Sequence, residues 1–383
     1  MRALLTTGAV VVAFVLGAVI GVRSGGFDGL ITQTSSSSEA LDAIEDSYFR
    51  SVDPEDLQGA SVSGMVRYLQ RRYEDRFTRY FDPEQYSQFQ ESTSGEFSGV
   101  GMTVSEIRRG LRVARTFPGS PAKRAGIERG DVITRVDGRS IAGVSSAVAT
   151  ARIKGPEGST VRLTVVSPSG NVRQLKLTRE AIALPVVAGR IVRVGGVPIA
   201  YVRMVSFTSG VHGLLRSEVA KLYRKGAEGL VLDLRGNGGG LLSEAVLASS
   251  VFVENGRIVS TAGRTDGRRA FDAQGDAIRP KPMAVLVDRD TASAAEIMAA
   301  ALEQAGVATT VGERTFGKGT FQRVIPLGNG GALDLTLGEY LTRDGTSVNG
   351  KGLKPEIVVT SARDFDRQLR RALAIVRREI ERG

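Results

Sequence analysis

Four short apolar runs, IAYVRMV (199–205), GLVLDL (229–234), MAVLVD (283–288) and ATTVG (308–312), constrain what this chain can fold into more than any other feature. Within them apolar residues follow one another instead of alternating with polar ones, as in strands covered on both faces. Helical stretches at 241–252 and 293–305 separate the later runs. Such strands interleaved with helices predict an α/β core. LDLTLGEYL and PEIVV add strands, and residues 363–383 close the chain as an amphipathic helix.

That core is expected to span 185–362. Ahead of it, at 95–184, glycine punctuates the strand-like runs VGMTV, LRVARTF, VITRVDG, TVRLTVV and VRQLKL, which predict a small β-rich domain. Residues 39–94 read as a helical region: Leu41, Ile44 and Tyr48, then Val66, Leu69 and Tyr73, recur at turn spacing. Residues 24–38 are small and polar, as in a flexible linker. From Ala3 to Val22 no residue is charged. At about 1.5 Å per residue a helix of that length crosses a hydrocarbon core of about 30 Å. With Arg2 ahead of it, residues 1–23 read as a signal anchor, the alternative being a cleavable signal peptide. The expectation is a membrane-anchored protein with its catalytic part extracytoplasmic, secreted if the segment is cut.

Composition removes several chemistries. There is no cysteine, which excludes disulfides, thiolate metal sites, a thiol nucleophile and a lipoprotein anchor. His212 is the one histidine, so any Ser-His-Asp triad must use it, and it sits in the plain amphipathic stretch SGVHGLLRSEVAKL. The net charge of +10 is spread along the chain, dense only near 363–382, with no nucleic-acid motif beside it. No nucleic-acid partner is expected.

A covalent mechanism on such a chain points to serine with lysine as its base. Ser293, in TASAAEI, follows an apolar strand and opens an apolar helix, where unpaired N–H groups and the helix dipole favour negative charge. The Ala294 amide is placed to help hold an oxyanion. TASAAE equally fits a capping box, and the segment alone leaves both readings open. LDLRGNGGG (232–240) is a strand ending in a glycine cluster that brings backbone amides close to a ligand. It lacks the phosphate-binding lysine and the dinucleotide spacing. FGKGTFQ (316–322) sets Lys318 between glycines. As a base it must be neutral, hence buried, and Phe316, Phe321 and Val324 are the candidate apolar walls. Gln322 is positioned to orient the amine.

Together these segments resemble the carboxy-terminal processing proteases: TASAAEI and FGKGTFQ, with serine and lysine twenty-five positions apart, and LDLRGNGGG upstream. FDPEQYSQFQESTSGEFSGVGM (81–102), GSPAKRAGIERGDVITRVDG (119–138) and GKGLKPEIVV (350–359) extend the likeness through a helical lead-in, a PDZ domain and a closing strand. The resemblance implies a PDZ domain inserted before an α/β protease core, without metal or cofactor. It implies Ser293 as nucleophile, Lys318 as general base and Gln322 orienting the lysine, with oxyanion amides from Gly239 and Ala294 and a secondary candidate in Gly238. Gly99, Val100, Gly101 and Met102 resemble the PDZ carboxylate-binding loop, beside which a peptide strand pairs.

The chain departs from the family in two places. Lys154, with Arg152 nearby, stands where an arginine is frequent, and Ala295 where a serine is common. The expected function is endopeptidase cleavage near protein C-termini with apolar ends. The alternative is an inactive PDZ adaptor that tethers tails at the membrane. An oligomer or an activating partner stays open.

Overall fold

The computed structural model describes residues 36–278, 281–360 and 365–382. The apolar span at 3–22 lies outside them, as does most of the polar stretch 24–38. Helix begins at Ser36, so the last three residues of the expected linker are helical. No helix among the described residues is long and apolar enough to cross a membrane. The chain divides into two units between Tyr68 and Leu69. In the first, Ser36–Ser47 is helical and a second helix, Pro54–Tyr73, begins. Pro54 opens it where its missing N–H is no loss, and Glu55 and Asp56 complement the dipole.

The second unit begins with strand β1 (Arg79–Phe81) and a helix, Pro83–Ser94. Asp82 caps that helix reciprocally with Gln85, and Gly95, at φ 78°, ends it. β2 (Glu96–Gly99) then leads into the glycine-punctuated domain, where β3 (Met102–Ile107), β4 (Gly110–Thr116), β5 (Val132–Val136), β6 (Arg139–Ser140), β7 (Thr160–Val166) and β8 (Val172–Thr178) form one sheet. Its order is β3-β4-β5-β7-β8, with β6 on β5, so β3 is an edge strand. Alternation builds its core: Val161, Leu163 and Val165 point inward from β7 while Arg162 points out. The helix Ser146–Ile153 packs beside β3. β9 (Glu180–Ala183) pairs antiparallel with β2, so the domain enters and leaves through one two-stranded ribbon.

The core follows with β10 (Val187–Val194), β11 (Val197–Met204), β12 (Gly229–Asp233), β13 (Arg257–Gly263), β14 (Gly267–Asp272), β15 (Met283–Val287), β16 (Thr309–Gly312), β17 (Thr320–Pro326), β18 (Ala332–Leu341) and β19 (Ile357–Val358). Six of these make a sheet ordered β10-β11-β12-β15-β16-β19, parallel except for β10. β12 and β15 are buried along their whole length, as their unbroken apolar runs require. Val211–Arg224, Leu242–Ser250 and Ala294–Gln304 cover one face. Phe365–Ile380 covers the other, setting Ala372 and Val376 against Val231, Ala284 and Leu286. Gly229 admits that helix, since a Cβ there would lie 2.4 Å from Val376.

A second sheet, β1-β18-β13-β14 with β17 on β18, differs from the sequence reading. Residues 39–94 read as helical, yet Arg79, Tyr80 and Phe81 pair with Asp334, Leu333 and Ala332. Three residues carry no legible period, and their partner lies some 250 positions away.

Candidate active site

Three neighbouring parallel strands end at one place, where α/β sheets characteristically bind ligands. β12 runs into the glycine turn, β15 into Ser293 and β16 into the loop bearing Lys318. The glycine turn is locked at both ends. Buried Arg235 grips Asp233 with Nε on Oδ1 at 2.8 Å and Nη2 on Oδ2 at 2.6 Å, and Tyr201 donates to the same carboxylate at 2.7 Å. Asn237 donates its side-chain amide to the Met204 carbonyl at 2.9 Å and accepts from Ala292 N at 2.9 Å.

Ser293 stands at φ 56°, ψ −120°, a conformation that L residues adopt only when the surroundings impose it. It forms the sharp turn between β15 and the helix Ala294–Gln304, and it lines a cleft of about 1060 Å³ together with Gly238, Gly239, Lys318 and Tyr340. Tyr340 faces the same cleft, where burial pushes its pKa up to about 12 and the serine side chain acts on its hydroxyl.

Glu296 joins the two loops. Fully buried one turn into the helix, its carboxylate accepts from Ser293 N at 2.8 Å, Gly317 N at 2.8 Å, Lys318 N at 2.9 Å and the Thr315 hydroxyl at 2.5 Å. The capping box was visible in TASAAE, but a cap serves only its own helix. This carboxylate also fixes the loop after β16, and so sets the lysine backbone relative to the serine backbone.

Lys318 projects into the cleft with Nζ 5.0 Å above the Phe77 ring. Burial pushes its pKa below the usual lysine range; Asp334 opposes that shift and Arg79 reinforces it. Of the apolar wall expected, Phe321 and Val324 line the same cleft as Lys318, and Phe316 does not. Phe316 is 57% exposed, Phe321 packs on Tyr340 with centroids 5.8 Å apart, and the ring under the amine is Phe77, from the segment before β1. Gln322 lines the cleft, but its amide donates to Thr320 at 2.9 Å and Thr336 at 3.3 Å, and no bond joins it to Lys318.

The oxyanion candidates separate. Ala294 N is the first amide of its helix and has no acceptor among the described residues. Gly239 packs directly against the serine, with a Cβ there 2.8 Å from Ser293 Cβ, but its N–H already donates to Asn237 Oδ1 at 2.9 Å. That bond corrects the expectation for Gly239. The Gly238 N–H, also in the cleft wall, has no acceptor among the described residues. His212 is committed elsewhere, with Nδ1 2.8 Å from Glu244.

In the glycine-punctuated domain, Gly99 ends β2, Val100 is buried, Gly101 takes φ 75° and Met102 opens β3. The Val100 carbonyl accepts from Ala122 N at 2.8 Å and that of Gly101 from Phe117 N at 3.0 Å, which pins the loop beside the β3 edge. Lys154 pairs with Glu91 of the helix Pro83–Ser94 at 2.5 Å, while Arg152 is exposed.

Residues 198–359 match peptidase family S41 and residues 88–166 match the PDZ domain. The chain is 38% identical over 290 residues to the carboxyl-terminal-processing protease of Picosynechococcus, which covers 75% of this chain and 70% of that one. It is 35% identical over 335 residues to the carboxy-terminal-processing protease of Bartonella bacilliformis, covering 85% and 75%. Among solved structures it resembles the photosystem II D1 C-terminal processing protease, at 29% identity and TM-score 0.50, over 85% and 92% of the two chains. The chain therefore belongs to the carboxy-terminal processing proteases of family S41: it is a serine protease with a PDZ domain.

Proposed function

We propose that the protein cleaves peptide bonds with Ser293 as nucleophile and Lys318 as its general base, on substrates captured by their C-terminal tails. The Glu296 carboxylate, which holds the backbone of both residues, is the observation that carries this reading. On substrate binding the neutral Lys318 amine moves from Phe77 toward Ser293. Lys318 takes the serine proton as Oγ attacks the scissile carbonyl. The amides of Ala294 and Gly238 receive the oxyanion. The lysine then protonates the leaving amine, and a water activated by the same lysine releases the acyl group.

The sign of the pH dependence follows. Only the unprotonated lysine is a base, so kcat/KM rises with pH through the Lys318 pKa and levels above it. Burial holds that pKa below the ordinary ~10.4, which brings the rise toward mildly alkaline pH. A pH profile on an unstructured protein with an apolar C-terminus measures this; a rate flat from acid to alkaline sinks it. For tail capture, β3 is an edge strand with the helix Ser146–Ile153 packed beside it, and a peptide strand can add to that edge. The same substrate with an amidated C-terminus is expected to show a raised KM. Tail binding without turnover would instead indicate an adaptor.

The reading also places the catalytic part outside the cytoplasm, anchored through the uncharged span 3–22. Sedimentation with membranes, together with digestion by protease added outside intact spheroplasts, is the expected result. A protein protected until lysis would refute it.

A further inference from the structure

The Lys318 amine shares its cleft with an ion pair that the Ser–Lys chemistry does not use. Arg79 and Asp334 face one another in the β1–β18 register, and Arg79 Nε lies 3.2 Å from Asp334 Oδ2. Both line the cleft with Ser293 and Lys318. The Asp334 side chain is 7% exposed and that of Arg79 55%. The segment bearing Arg79 is held in place at its start. Asp75 accepts from Phe77 N and Thr78 N, each at 3.0 Å, and from the Thr336 hydroxyl at 3.1 Å. Thr336 N in turn donates to the Thr78 hydroxyl at 3.0 Å. The residues that carry Phe77 under the amine thus also carry Arg79 onto Asp334.

A buried carboxylate beside a buried amine favours an ion pair, and an ammonium cannot accept a proton from serine. The guanidinium of arginine stays charged at any working pH and competes for that carboxylate. The other charged and titratable groups around Lys318 are occupied. Glu296 is filled by its four donors, and Asp75 by Phe77, Thr78 and Thr336. Glu339 accepts from Ser347 and Asn349, Arg323 pairs with Asp266, and the Ser293 side chain acts on the Tyr340 hydroxyl. Asp334 is left as the carboxylate whose charge acts on the amine.

Building on the Ser–Lys reading, we propose that Arg79 is a positioning residue for the base: by occupying Asp334, it keeps that carboxylate from capturing Lys318 as an ammonium ion. The burial of Lys318 then acts without an opposing ion pair. Arg79 lies on the short strand just ahead of the helix Pro83–Ser94, outside the segments that carry Ser293 and Lys318.

The test is the kcat/KM pH profile of the full chain and of Arg79→Gln, Asp334→Asn, the double variant and Arg79→Lys, each with a thermal melt. Arg79→Gln should move the rise to higher pH by about 0.5–1 unit, modest because Arg79 is half exposed, with the alkaline plateau kept. Asp334→Asn should move it to lower pH, the double variant should return close to the parent, and Arg79→Lys should hold the parental position. A purely structural role would lower the plateau without moving the rise. Single variants whose rise stays at the parental pH overturn the proposal. A cleaving Lys318→Ala enzyme overturns the Ser–Lys reading, and the proposal with it.

Discussion

Lys318→Ala is expected to lower kcat/KM by at least about 10⁴-fold while leaving the binding of an apolar C-terminal tail unchanged. The loss is large because no other group can take the role. The single histidine is bound to Glu244, and the Tyr340 hydroxyl, at a pKa of about 12, holds its proton too tightly to act as a base near neutrality. Ser293→Ala should match it, and the double variant should be no worse than either single one, since nucleophile and base act as a unit. Mass spectrometry of an unstructured substrate reads all three. Cleavage that survives in either single variant would remove the assignment.

The second large effect is expected of Glu296→Gln. The carboxylate receives four donors with its two oxygens, and a glutamine replaces one oxygen with an NH2 that faces N–H groups. Each buried donor left unpaired costs about 1–3 kcal/mol, so the melting temperature should fall clearly. The more telling readout is the rate of the protein that stays folded. The Ser293 and Lys318 backbones lose their common anchor, and a displacement near 1 Å is enough for about 10²-fold. Glu296→Asp keeps the charge but not the reach, and should recover stability better than activity. A folded Gln variant cleaving at the parental rate would reduce Glu296 to an ordinary helix cap.

What could be read in the sequence was local. The buried strands β12 and β15 announce themselves by unbroken apolar runs, and Ser293, Lys318 and the glycine turn follow directly where such strands stop. What stayed hidden depends on pairings across the chain. Phe77 and Arg79 reach the lysine because a three-residue strand finds β18, and nothing near either end marks that encounter. Of the residues close in sequence to Lys318, Phe321 and Val324 do line its cleft, but Phe316 is exposed and the ring under the amine comes from Phe77. The Gly239 amide was expected to face the cleft, but the Asn237 side chain two residues back claims it. Tyr340 carried no signal at all, because its contact with Ser293 depends on how β18 runs past the serine.

The ribbon of β2 and β9 makes the PDZ domain a cassette. Glu96 faces Ala183 and Gly99 faces Glu180, so the two chain ends leaving the protease stand side by side in fixed register. Joining them with a tight turn would leave a hairpin whose pairing already exists, and the catalytic half would not have to find a new path. The PDZ domain and the protease core are thus topologically separable: the domain can be removed or exchanged at this ribbon without rerouting the chain of the core.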